Sequence, residues 1–143
     1  VAATRSISIV SMEINVDLTS SDIPVEVWTK VGTYIGFEKN GTEWTKVVDT
    51  LVHGQGLGER TRISSERFLF PVVIEGGSTQ AFYVTLQTDN LRYSVIGDSS
   101  IVTSNDNLDI LAGAGVWGYP FAEILSNRAW NGVLHYVPLP LSL

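Results

Sequence analysis

The segment "RSISIVSMEINVDL" alternates apolar and polar residues with one change of phase. Ile7 and Ile9 share one parity, and Val10, Met12, Ile14, Val16 and Leu18 share the other. Side chains along a strand point to opposite faces with period 2, so a one-residue slip marks a β-bulge that returns the apolar set to the core side. After a "TSSD" turn, "IPVEVWTK" sets Val25, Val27 and Thr29 against Glu26, Trp28 and Lys30. "TKVVDTLVHG" continues the pattern, and in "STQAFYVTLQT" Phe82, Val84 and Leu86 form the inward parity. Pro71 cannot donate to a ladder, which weakens "RFLFPVVI" as a central strand. "LRYSVI", "SIVTS", "LDILAG" and "NGVLHYVP" add short strands between Gly, Asn, Asp and Ser clusters. Turn signals about every 8 to 12 residues, without a long 3.6-residue period, predict an all-β chain: an antiparallel, jelly-roll-like sandwich with little or no helix. The one helical candidate is "PFAEILSNR", about two turns long.

With 143 residues the chain reads as one domain spanning 1–143. It starts at Val1 with no methionine or signal-like region, so it is expected to be a mature product or a segment of a longer chain. The net charge is −6, and of nine cationic residues only Arg60, Arg62 and Arg67 cluster, interleaved with Glu59 and Glu66. Nucleic acids and anionic membrane surfaces require a concentrated basic field, so neither is expected as a partner. No apolar run approaches the ~20 residues of a membrane span, so no membrane insertion is expected. The absence of cysteine excludes disulfides, thiolate catalysis and cysteine-ligated metals.

Candidate chemistry is sparse. "HGQGLGER", residues 53–60, superficially resembles a phosphate-cradling loop but is followed by strand-like "TRIS", not a helix, so it reads as a β-connection. His53 and His135 are the only imidazoles, and neither belongs to a metal-ligand spacing; no nucleophile motif stands out, so no enzyme and no catalytic residue are expected. "GDSSIVTSNDNLD" offers Asp98, Asp106 and Asp109, with Asn105 and Asn107, as oxygen ligands for calcium, the only cofactor considered; the same residues also make turns. Asn40-Gly41-Thr42 is an N-glycosylation acceptor and a strong hairpin-turn sequence. Trp28, Tyr34 and Trp44, near Phe37, would form a sugar-stacking platform if exposed and core rungs if buried. Trp117, Tyr119, Phe121 and Trp130 form a second aromatic group.

The blocks "VEVWTKVGTYIGFEKNGTEWTKV", "GQGLGE", "STQAFYVTL", "LRYS" and "YPFAEILSNRAWNGVLHYV" occur in an order that resembles an uncharacterised β-domain of secreted, often multi-domain proteins of diatoms and of marine or environmental bacteria. The resemblance covers most of the chain and departs at Trp28, where the pattern has tyrosine, and at "GERTRI". It implies a β-sandwich in an extracellular or cell-surface setting, often as one of several copies, and brings no catalytic residues. The expected function is a non-catalytic structural or adhesive module that self-associates through strand edges and apolar faces. Segment 5–18 and the apolar tail Val137–Leu143 are the candidate contacts. The alternative is a carbohydrate-binding module using the aromatics of 28–44, with polysaccharide as partner.

Overall fold

A computed structural model describes residues 1–20, 22–96, 101–117 and 119–140. Among these lie the strands β1 (Ala2–Ala3), β2 (Ile7–Ile14), β3 (Ile23–Val31), β4 (Thr45–Val52), β5 (Thr61–Ile63), β6 (Val72–Ile74) and β7 (Gln80–Leu86). They are followed by β8 (Tyr93–Val95), β9 (Ile101–Ser104), β10 (Leu108–Leu111), β11 (Gly113–Trp117), β12 (Glu123–Trp130) and β13 (Val133–Pro138). The only helical pieces among the described residues are the 3₁₀ turns Gly41–Glu43 and Ser65–Arg67. Antiparallel sheets pack together as a β-sandwich.

The phase slip in the first segment is a bulge at Val10. Ser11 lies opposite His135 and Ile9 opposite Tyr136, so Val10 has no partner across the ladder. The extra residue lets Ile7 and Ile9 on one side of the slip, and Met12 and Ile14 on the other, all reach the core. Burying each such side chain stabilises the fold by roughly 1.5–3 kcal/mol. β2 is flanked by β13 on one edge and by β5 and β6 on the other. This corrects the expectation of an open edge at 5–18: both edges of β2 are already laddered. The tail is likewise used internally as far as Pro138, which pairs with Ile7; residues 141–143 lie outside the described residues.

A second sheet has the order β4-β3-β7. A register shift places Val27 opposite Val48 but Trp28 opposite Lys46, and both Val47 and Val48 are fully buried. Its inner face carries Val25, Val27, Phe82, Val84 and Leu86, as the alternation predicts, against Ile7, Ile9, Met12 and Ile63 from the first sheet. The outer face carries Glu26, Trp28 and Tyr83. Two smaller sheets, β1-β10-β9 and β11-β12-β8, complete the described structure. β12 overturns the helical reading of "PFAEILSNR". An isolated two-turn helix is marginal in water, whereas ladders to β11 on one side and β8 on the other satisfy this backbone.

β1 ties these sheets together. Ala2 and Ala3 pair with Asp109 and Leu108 of β10 on one side. On the other side Ala2 bridges Thr79, Ala3 N–H donates to Ser78 (3.0 Å), and Gln80 N–H donates to the Val1 carbonyl (2.8 Å).

Candidate functional site

A groove of about 1000 Å³ runs along the free side of β7. One wall is the continuous stretch 79–89 and the other is 110–116, spanning the end of β10 and most of β11; Met12, Trp130 and Leu134 also line it. Consecutive residues of both parities line each wall, which is how a strand presents an edge and not a face. β7 is the outermost strand of its sheet, and β11 is the outermost strand of its own.

Backbone alternation shows which groups of β7 face the groove. In an antiparallel strand, successive residues direct their N–H and C=O to opposite sides. Gln80 N–H is bonded to Val1, on the side away from β3, whereas the Thr79 carbonyl accepts from Gly32 on the β3 side. The peptide groups of Phe82, Val84 and Leu86 therefore point into the groove, and those of Ala81, Tyr83 and Thr85 point to β3. The Leu86 carbonyl accepts from Thr85 Oγ1 at 3.0 Å. The backbone groups of Phe82 and Val84 have no partner among the described residues.

An aromatic cluster closes one side of this region. Phe121 stands in the middle, its ring centroid 5.3 Å from Trp28, 4.6 Å from Tyr83 and 5.9 Å from Trp44. Phe121 has φ 53°, the left-handed region that costs a non-glycine residue roughly 1–2 kcal/mol. The three ring contacts and a 3.3 Å hydrogen bond from Phe121 N–H to Tyr83 Oη hold it there. Trp44 is only 7% exposed, and its indole N–H donates to the Phe37 carbonyl at 3.0 Å. Burial thus removes Trp44 from any sugar-stacking platform. Trp28 is half-buried, with Phe121 at its edge and Lys46 Nζ 5.0 Å from its centroid. Tyr34 is half-buried on the groove wall, and its phenol pKa is raised by burial and by the charge of Glu38.

Beneath Trp28, Glu26 is 4% exposed. Its carboxylate accepts from Trp28 Nε1 at 3.0 Å and from the Tyr119 hydroxyl, and it pairs with Lys46 Nζ at 3.5 Å. A buried carboxylate requires partners of this kind to offset lost hydration. The hydrogen bond to Glu26 is the main cause that raises the Tyr119 phenol, and a bond to Asp49 is the main cause that raises Lys46. Together these contacts dock the loop bearing Tyr119 and Phe121 onto the outer face of the second sheet. Both aromatic groups are visible in the sequence; that they interlock, about 90 residues apart in the chain, is not.

The remaining candidates are structurally occupied or dispersed. Asp98 lies outside the described residues. The carbonyl of exposed Asp106 accepts from Thr4 Oγ1 at 2.8 Å, and Asp109 sits in β10 opposite Ala2 and Ser104. Asn105 Oδ1 accepts from the N–H groups of Asn107 and Leu108, and both Asn105 and Asn107 donate to Tyr136 Oη, so these carboxamides hold a turn. Among the described residues no group of three or more His, Cys, Asp or Glu side chains converges as a metal site would. Asn40 is exposed and accepts from Thr42 Oγ1 at 2.6 Å. It precedes a 3₁₀ turn and not the two-residue hairpin its Asn-Gly sequence predicts. His53 is exposed, and His135 Nε2 lies 2.9 Å from Glu13 Oε2; neither lines the groove. In "HGQGLGER" the amides of Gly54, Gln55 and Gly58 bond to Ser20, Thr61 and Asn15, so the loop spends its donors on its own fold. No helix among the described residues is long and apolar enough to cross a membrane. No protein-family model matches the chain, and comparison with curated proteins and with solved structures finds no match.

Proposed function

We propose that this chain is a non-catalytic structural module of an extracellular or cell-surface protein that joins neighbouring copies of itself through unpaired strand edges. The observation that supports this reading is the groove, in which the open edge of β7 faces the open edge of β11. Open ladders attract pairing and are either covered or used, and β-strand addition is a common way of using them. The carbohydrate-binding alternative is less well supported, because Trp44 is buried and Trp28 is packed between Phe121 and Lys46.

Light scattering over a concentration series tests the reading. The expected result is a mass that rises above the 15.6 kDa of one chain as concentration increases. A constant monomer mass, together with tryptophan quenching by oligosaccharides, would replace it with the carbohydrate reading.

A further inference from the structure

Two Asn-Gly pairs occur in the chain, Asn40-Gly41 and Asn131-Gly132. An asparagine in this pair is open to attack by its own backbone, because glycine leaves its nitrogen unshielded by any side chain and free to rotate. We infer that Asn40 is a site of spontaneous, one-way modification: its side-chain amide is lost through a cyclic imide, and the main chain then shifts against Phe121. Asn131 has the same local chemistry and is kept from reacting by the fold.

The reaction needs only hydroxide and water. Hydroxide removes the Gly41 amide proton, and the nitrogen attacks Asn40 Cγ. The N–Cγ bond forms, the Cγ–Nδ2 bond breaks, and the amide group takes a proton from water and leaves as ammonia. Water then opens the imide. Cleavage between Gly41 N and Cγ leaves aspartate at position 40. Cleavage between Gly41 N and the Asn40 carbonyl carbon leaves isoaspartate, whose main chain runs through the side chain and is one methylene longer. Gly41 N–H has no hydrogen-bond partner among the described residues, so its proton is open to removal.

The fold treats the two sites differently. Both carboxamides accept from a hydroxyl, Asn40 Oδ1 from Thr42 at 2.6 Å and Asn131 Oδ1 from Ser94 at 3.0 Å, so the electrophile does not separate them. The freedom of the peptide does. Asn40 is exposed, with φ −113° and ψ 82°, which directs the Gly41 nitrogen away from the side chain, so the Asn40–Gly41 peptide must turn over before reaction. Two hydrogen bonds resist this, from Glu43 N–H to the Asn40 carbonyl and from Trp44 N–H to the Gly41 carbonyl. Both are 3.2 Å, the long end of the usual range, and belong to a single 3₁₀ turn. Gly132 has no such freedom. A Cβ there would fall well inside contact with the Glu13 carbonyl oxygen, and its neighbours Trp130 and Val133 are laddered to Tyr93 and Glu13. Turning that peptide requires opening both ladders.

Modification at Asn40 reaches the aromatic cluster. A Cβ on Gly41 would meet Phe121 Cδ2 and Cε2 at 3.0 Å, so the ring lies directly on this backbone. An added methylene ahead of Gly41 pushes it against a ring already wedged among Trp28, Trp44 and Tyr83. The new carboxylate also stands beside Lys39, which pairs with Glu123 at 3.8 Å. Both changes loosen the loop bearing Tyr119 and Phe121 from the second sheet.

The test is incubation of the purified protein at mildly alkaline pH, with peptide mapping by mass spectrometry and electron-transfer fragmentation to tell isoaspartate from aspartate. In the folded protein Asn40 converts at least about tenfold faster than Asn131, because reaction follows the population of the locally open form. In urea the difference disappears. Asn40→Gln, whose longer side chain would have to close a larger ring, stops conversion at 40. Asn131 converting as fast as Asn40 in the folded protein, or Asn40 converting only in urea, would overturn the site. For the aromatic cluster, aged protein rich in isoaspartate melts about 3 °C below fresh protein, as loss of one ring contact would give. Asn40→Asp, with the charge but not the longer main chain, stays within about 1 °C of fresh protein. Aged protein melting together with Asn40→Asp would overturn the shift against Phe121.

Discussion

Replacing Gly54 by alanine adds one methyl group at a place with no room for it. A Cβ there falls well inside contact with the Leu18 carbonyl oxygen, 2.5 Å from Ile23 Cδ1 and 3.1 Å from Val16 Cγ2. The carbonyl cannot retreat easily, because Val16 is bridged to Leu91 and Gly54 N–H is bonded to Ser20 at 2.8 Å on either side of it. Overpacking of this kind costs typically 1–3 kcal/mol, and contact with backbone puts Gly54→Ala at about 2–3 kcal/mol. At about 2.1 cal/mol/K of unfolding entropy per residue, a chain of this length loses roughly 3 °C of Tm per kcal/mol, so the expected fall is about 6–10 °C. Two controls separate space from backbone conformation. Gly113→Ala has nothing within 4 Å and no positive φ, so its Tm stays within about 1 °C. Gly36→Ala also meets nothing within 4 Å but has φ +91°, and loses about 1 kcal/mol to backbone strain alone. Thermal melts followed by circular dichroism, with urea titration as a check, measure all three. A Gly54→Ala variant as stable as Gly113→Ala would refute the packing described around this loop.

Three further outcomes follow from the cluster around Glu26. Glu26→Ala leaves Trp28 Nε1 without its acceptor and costs about 1–3 kcal/mol by urea denaturation, while Glu26→Gln, which keeps an acceptor, costs less. Trp44→Ala empties a buried site and costs about 3–5 kcal/mol, with no change specific to any sugar ligand in a glycan-binding screen. The Tyr119 phenol is raised above its ordinary 10.0 in the fold, so its contribution is complete below pH 10 and is lost as pH rises through the folded value. Lys46, raised above 10.5, acts in the same direction. Stability measured from pH 8 to 11.5 therefore falls at the alkaline end, and Tyr119→Phe flattens part of that fall; an identical profile in the variant would refute the Glu26 contact.

What the sequence discloses here is mainly periodicity. The bulge at Val10 is legible because a slip in a period of 2 is local and leaves Ile9 and Met12 out of phase. The inward parity of Phe82, Val84 and Leu86 is legible for the same reason. Strand neighbours are not, because pairing is a long-range choice that leaves no local mark: β2 reads the same whether its edges are free or covered. β12 was open to misreading because Ala122, Glu123, Ile124 and Leu125 are acceptable helix formers, and only the ladders to β11 and β8 override that preference. The groove is hidden for a further reason. It consists of an unfilled position between β7 and β11, and a gap has no residues of its own.

The adjacency of β2 and β13 also determines how the fold answers a pull. Ile7, at the start of β2, lies opposite Pro138, at the end of β13, and Arg5 Nη2 reaches the Leu139 carbonyl just beyond. Force applied through Arg5 and Leu139 therefore meets this ladder at one end and opens it one hydrogen bond at a time, as a zipper opens. A shear load, by contrast, would have to break all the bonds together. Under tension along that line the β2–β13 ladder therefore parts at lower force than the same ladder loaded in shear.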